Sequence, residues 1–172
     1  MTSRVRIHGI AIVCIAFAGL PAFAQTDVKA ALVKHLTISR DFTLKVAEQM
    51  PEADYGFKLT PPQMSFAEQM AHLAQDQTYI LAPLSTNSPD PGKPASMNKK
   101  DVIAFVRQSF DATIDKVSKL TPAQLAKTYS GGEGTMTGLE LVMFVMDHTT
   151  HHRASAEMYL RAKGITPAEY QF

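Results

Sequence analysis

The chain has 172 residues, 45% of them hydrophobic and 19% charged, with a formal net charge of +1. That length suits one domain with a sizeable core. A near-neutral chain without a basic run gives no electrostatic case for nucleic-acid binding.

The first residues read as a targeting segment. Arg4 and Arg6 precede an apolar run from Ile10 to Leu20, Pro21 breaks that run, and Ala22-Phe23-Ala24 is a small-x-small cleavage pattern. This predicts a signal peptide over 1–24, cut between Ala24 and Gln25, and a protein that is periplasmic or secreted. An uncleaved anchor is the alternative, but the run is short for a membrane span. No later segment approaches about 18 uninterrupted apolar residues, so no membrane contact is expected after cleavage. Cys14, the single cysteine, leaves with the signal. The remainder, residues 25–172, then carries a formal charge of −1 and has no disulfide, thiolate ligand or cysteine nucleophile. Any metal site in it must use nitrogen and oxygen.

Four segments have helical period, and no alternating strand pattern of convincing length is present. The first helix is expected over 28–49, with Val28, Leu32, His35, Phe42 and Val46 on one stripe. The second is expected over 66–84, opened by a capping box of Ser65 and Glu68, with Phe66, Met70, Leu73, Ile80 and Leu84 inward. The third runs over 99–120 behind Asn98 as N-cap, with Val102, Phe105, Val106, Phe110 and Val117 inward. The fourth runs over 138–163, with Thr137 and Glu140 as its capping box, Met136 stapled onto Leu141, and Gly164 just past its end. Its first half, 139–146, is apolar nearly all round, which predicts a central buried helix. Short helical turns are expected at 121–124 and 166–169. The connections 51–64 and 85–98 are rich in proline and glycine and longer than tight helix–helix turns. The fold class that follows is an all-α four-helix bundle, with long connections between helices 1–2 and 2–3 and room for a crossover.

The chemistry-bearing feature is Asp147-His-Thr-Thr-His-His-Arg153 on the fourth helix. His148 and His152 are four apart and share a face, on the stripe Leu141, Val145, His148, His152, Ser155, Tyr159. A buried imidazole needs a partner for each nitrogen, and a metal ion supplies one such partner per ring. His72, inside the second helix, shares a stripe with Ser65, Gln69, Asp76 and Tyr79. That polar stripe either faces solvent or lines a cleft shared with the fourth helix. Three imidazoles from two helices can hold a divalent ion and leave part of its coordination sphere open. The alternative is that these are ordinary core or surface histidines. His151 competes with His152 for the inward position and is expected at the rim. His35 is expected as a core histidine or a cleft lining. Asp76, one turn beyond His72, is the candidate catalytic carboxylate, with Glu68 as the alternative. Gly131-Gly132-Glu133-Gly134 lacks the strand and lysine of a nucleotide loop and reads as a flexible connection.

The run Met136-Thr-Gly-Leu-Glu, then Asp147-His-Thr-Thr-His-His-Arg153, then Tyr159-Leu-Arg161-Ala-Lys-Gly164-Ile-Thr-Pro167 resembles the C-terminal signature of the DinB/YfiT-like family. Met64-Ser-Phe-Ala-Glu-Gln-Met-Ala-His72-Leu-Ala resembles its first histidine motif. The resemblance implies a four-helix bundle of unusual connectivity and a divalent metal on His72, His148 and His152. It also implies kinship with thiol-dependent transferases and isomerases. Relatives often continue the last histidine as Arg-Gly-Gln, where this chain has Arg153-Ala154-Ser155, and Met64 stands where many have tryptophan.

Three functions compete on this reading. One is a metal-dependent enzyme, thiol transferase-like or hydrolytic, acting on a small-molecule substrate. The second is a non-catalytic metal- or ligand-binding envelope protein. The third is a metal-free structural homodimer. Nitrogen ligands suit zinc, nickel, copper or iron, with zinc or nickel the leading expectation.

Overall fold

The computed structural model describes residues 23–85, 90, 92–131 and 134–171. Residues 1–22, which hold most of the segment expected as a signal peptide, including Cys14, lie outside the described residues. Four long helices form the body: α1 (Phe23–Gln49), α2 (Phe66–Ile80), α3 (Lys99–Lys119) and α5 (Gly138–Ala162). A short α4 (Pro122–Ala126) and a hairpin of β1 (Thr128–Gly131) and β2 (Gly134–Thr137) join α3 to α5. The all-α four-helix bundle expected from the sequence is the observed architecture.

Local sequence sets the helix ends. Ser65 and Glu68 close a reciprocal capping box on α2, and Thr137 and Glu140 do the same on α5. The Asn98 side chain accepts from the Asp101 N–H at the start of α3. Beyond α5, Gly164 takes φ +74, while its N–H reaches Arg161 O and the Ile165 N–H reaches Leu160 O. That is a Schellman closure, and it needs a residue free of a Cβ penalty.

Side-chain contacts give the helix directions. Lys99 Nζ meets Met50 O at 2.8 Å and Lys29 Nζ meets Leu120 O at 3.3 Å, so α1 and α3 are antiparallel. Ser109 Oγ reaches Ala74 O and Lys116 Nζ reaches Leu81 O, so α2 and α3 are parallel. Tyr159 donates to Met64 O while Asp76 lies beside His148, so α2 and α5 are antiparallel. The helices contact one another in the ring α1–α3–α2–α5. The bundle is therefore up-down-down-up, with α1 and α2 across one diagonal and α3 and α5 across the other. This explains both long connections. Residues 50–65 cross one end of the bundle diagonally; because α2 and α3 are parallel, their connection has to span the bundle's length, and Gly92 O in it accepts from Gln75 Nε2 of α2 at 2.9 Å.

The core falls into two clusters. One gathers Phe42, Val46, Phe66, Met70, Phe110 and Tyr159, and the other gathers Leu36, Ile80, Leu84, Val117, Leu141 and Val145. The inward stripes expected for α2 and α3 are buried throughout. Among the described residues no helix is long and apolar enough to cross a membrane.

Four expectations need correction. The second helix stops at Ile80, and Leu84 sits in a separate 3-10 turn, Ala82–Leu84, opened by Pro83. Residues 166–169 form no helical turn, because Gln49 occupies their backbone: its Nε2 donates to Thr166 O and its Oε1 accepts from the Ala168 N–H. Thr128–Gly131 and Gly134–Thr137 pair as antiparallel strands where no strand was expected, so that Gly131 and Gly134 of the run read as a flexible connection belong to strand ends. The first half of α5 is not central, since α5 is one corner of four and Met143 is 55% exposed.

Candidate metal centre

The site lies on the α2–α5 seam, in the middle of both helices. The capping box at Ser65 fixes the first turn of α2 and so the azimuth of the stripe Gln69, His72, Asp76. On α5, His148 and His152 project toward that stripe one turn apart. The Gln69, His72 and Asp76 part of the polar stripe thus lines a shared cleft, while Tyr79 at its end is exposed.

The three imidazoles converge. One ligand atom from each of His72, His148 and His152 lies within 4.8 Å of the other two. Ring centroids are 4.5 Å apart for His72–His152 and for His148–His152, and 5.2 Å for His72–His148. Three histidines from two helices are therefore positioned to hold one metal ion.

Two oxygens touch these rings. Asp76 Oδ2 is 3.1 Å from His148 Nε2 and 3.5 Å from His72 Nε2. Gln69 Oε1 is 2.6 Å from His152 Nδ1. Gln69 shares the His72 stripe in the sequence, but its pairing with His152, across 83 residues, has no sequence signal.

The electrostatics suit a cation. Burial lowers the His152 imidazole to about 4, and the neighbouring His148, His72 and His151 push the same way. Burial also lowers His148, opposed by Asp76 and helped by His72 and His151. Neutral imidazoles have the free lone pair that a metal requires. Among the described residues no lysine or arginine figures among the charges acting on His148 and His152, so the donor set fits a divalent ion.

The remaining candidates fall elsewhere. His151 is exposed at the rim, its ring 4.9 Å from that of His152. His35 lines an apolar groove between α1 and α5 with Leu32, Met143 and Met146. Glu68 is held in its capping box and against Lys58 at 3.3 Å. Ser155, expected on the metal stripe, donates instead to His151 O at 2.9 Å. Arg153 turns the other way, donating to Ser39 Oγ at 2.9 Å, with its guanidinium over the Phe42 ring. The side of the site away from α2 opens on a shallow surface with Phe144, His148, His151 and Met158.

Comparison with known proteins agrees with this architecture. An uncharacterized protein of Bacillus subtilis strain 168, YjoA, is 22% identical over 139 residues, spanning 78% of this chain and 90% of its own. A crystal structure of a DinB-like protein from Bacillus cereus superposes with a TM-score of 0.70 at 16% identity, covering 83% of this chain and 97% of the other. The crystal structure of YjoA, also a DinB-like protein, gives 0.66 at 19% identity, covering 81% and 96%. The sequence model of the DinB family matches residues 24–172. With the match extending over the whole bundle and its histidine cluster, the chain belongs to the DinB family.

Proposed function

We propose that the protein is a metal-dependent enzyme acting on a small molecule, with one divalent ion, zinc or nickel first, held by His72, His148 and His152. The observation that carries this is the convergence of three imidazoles from two helices in a partly open cleft, the two from α5 held toward the neutral form by burial. An ion on three nitrogens supplies Lewis acidity, which polarises a substrate oxygen or sulfur or lowers the pKa of water. The chain supplies the rest. Asp76 Oδ2, within 3.1–3.5 Å of two of the rings, accepts the proton released in the reaction. The surface beside His148, with the Phe144 and Met158 side chains, receives the apolar part of the substrate. Thiol transfer and hydrolysis both fit this arrangement.

The test is stoichiometry. Protein purified without a polyhistidine tag should contain one divalent ion per chain, and His148→Ala/His152→Ala should contain none. Unchanged metal in that double variant would remove the reading. Export is part of the same proposal and rests on Arg4, Arg6, the apolar run and Ala22-Phe23-Ala24. The native product should have the mass of a chain beginning at Gln25. A full-length cytoplasmic species would refute export and leave the metal centre standing.

A further inference from the structure

We infer that Gln69 is the positioning residue of this centre: its side-chain oxygen fixes the tautomer of His152 and so selects Nε2 as the atom offered to the metal. This rests on the three-histidine reading for its consequence, but not for its geometry.

Gln69 Oε1 and His152 Nδ1 are 2.6 Å apart, and Gln69 is 8% exposed. An amide oxygen has no proton to give, so the bond exists only when Nδ1 carries the hydrogen. A neutral imidazole holds one ring proton, and with Nδ1 protonated the lone pair sits on Nε2. A free imidazole side chain favours the other tautomer, with the proton on Nε2. The Gln69 oxygen reverses that preference inside the cleft.

Gln69 is itself held in place. Its backbone N–H donates to Ser65 O at 2.9 Å, in the first turn closed by the Ser65–Glu68 box. Three residues later on the same stripe comes His72, whose ring centroid is 4.5 Å from that of His152. One helix therefore carries both a ligand and the acceptor that orients a ligand from the facing helix. Metal-bound histidines characteristically give their second N–H to such an acceptor, which locks the ring and raises its basicity. Ser155, on the histidines' own helix, donates to His151 O and does not serve this purpose.

The experiment compares wild type, Gln69→Leu and Gln69→Glu. In metal-free protein near neutral pH, nitrogen-edited NMR of the imidazoles reads which ring nitrogen of His152 bears the proton. Nδ1–H is expected in wild type and in Gln69→Glu, and its loss is expected in Gln69→Leu. A wild-type His152 protonated on Nε2 overturns the inference whether or not the protein binds metal. Zinc affinity is then measured by competition with a chelator. Gln69→Leu should bind roughly 10–100-fold more weakly, and Gln69→Glu, which keeps an acceptor oxygen in place, should stay close to wild type. Equal affinity of Gln69→Leu and wild type overturns the positioning role. His148→Ala/His152→Ala, run alongside, separates that failure from failure of the metal reading itself.

Discussion

Two of the three histidines of α5, His148 and His152, are held neutral at a cost that depends on pH. In the unfolded chain an imidazole titrates near about 6.5. In the fold, burial lowers His152 to about 4 and lowers His148 as well. Between about pH 6.5 and pH 4 the unfolded state therefore binds more protons than the folded one, and stability falls as pH drops through that window. Both rings keep contact with solvent, which makes the loss smaller than for a sealed pair. Urea unfolding of metal-free protein should show a lower midpoint near pH 5 than near pH 7, and His148→Ala/His152→Ala should flatten the difference. An equal slope in that variant would show that other groups set it. Asp76 gives the second prediction at this scale. Asp76→Asn removes a proton acceptor that lies 3.1 Å from His148 and should lower turnover by roughly 10²–10⁴-fold with zinc still bound. Turnover equal to wild type would end its role as a base. These side chains were legible in the sequence because four-residue spacing places His148 with His152 and His72 with Asp76. Gln69 was on the right stripe, yet its partner was not legible, because helical period gives a face and not the residue opposite it. Ser155 was misplaced for a related reason: a serine within a helix can bond back to the carbonyl four residues earlier, and this one does.

At the scale of elements, the ends of helices were legible and the departures from helix were not. Ser65, Asn98, Thr137 and Gly164 each close a terminus through their own chemistry, which is local and therefore readable. Residues 166–169 follow a proline-containing pattern that suits a turn, but Gln49, more than a hundred positions earlier, takes their backbone groups. The β1–β2 hairpin is four residues a side and flanked by glycine, too short for alternation to register. Gly138 joins these pieces. A Cβ there would lie 2.3 Å from the Gln124 carbonyl oxygen and 3.1 Å from Leu125 Cα, both backbone atoms of α4. Gly138→Ala should therefore force α4 away from the start of α5 and destabilise the protein by about 1–3 kcal/mol, the usual cost of overpacking. Gly56→Ala, where a Cβ meets nothing within 4 Å, is the control and should change stability little. Thermal unfolding of the two variants reads the difference, and equal midpoints would show that α4 yields without cost.

Across the whole molecule, the up-down-down-up order makes α2 and α5 neighbours although they are far apart in sequence, and this seam carries the candidate centre. Two apolar clusters lie toward the ends of the bundle. Between them sit buried polar groups: Ser39 and Thr43 on α1, Gln77 on α2, Thr113 on α3, and Thr149 and Arg153 on α5. Gln77 Oε1, Gln77 Nε2 and Thr149 Oγ1 have no hydrogen-bond partner there, so the middle of the bundle on the α2–α5 side is less well satisfied than its ends. A metal bound by His72 from α2 and by His148 and His152 from α5 would clamp the fold at this level. Binding to the folded state alone stabilises it by RT ln(1 + [L]/Kd), which is about 2.7 kcal/mol when free metal is at 100 times Kd. For a chain of this size each kcal/mol moves Tm by about 2–4 °C, so saturating zinc should raise Tm by roughly 5–10 °C. The shift should vanish in His148→Ala/His152→Ala and in His72→Ala. It should survive in His151→Ala, whose ring stands exposed at the rim. A zinc-dependent rise that persists without His72 would place the ion on α5 alone and remove the bridge between the two helices.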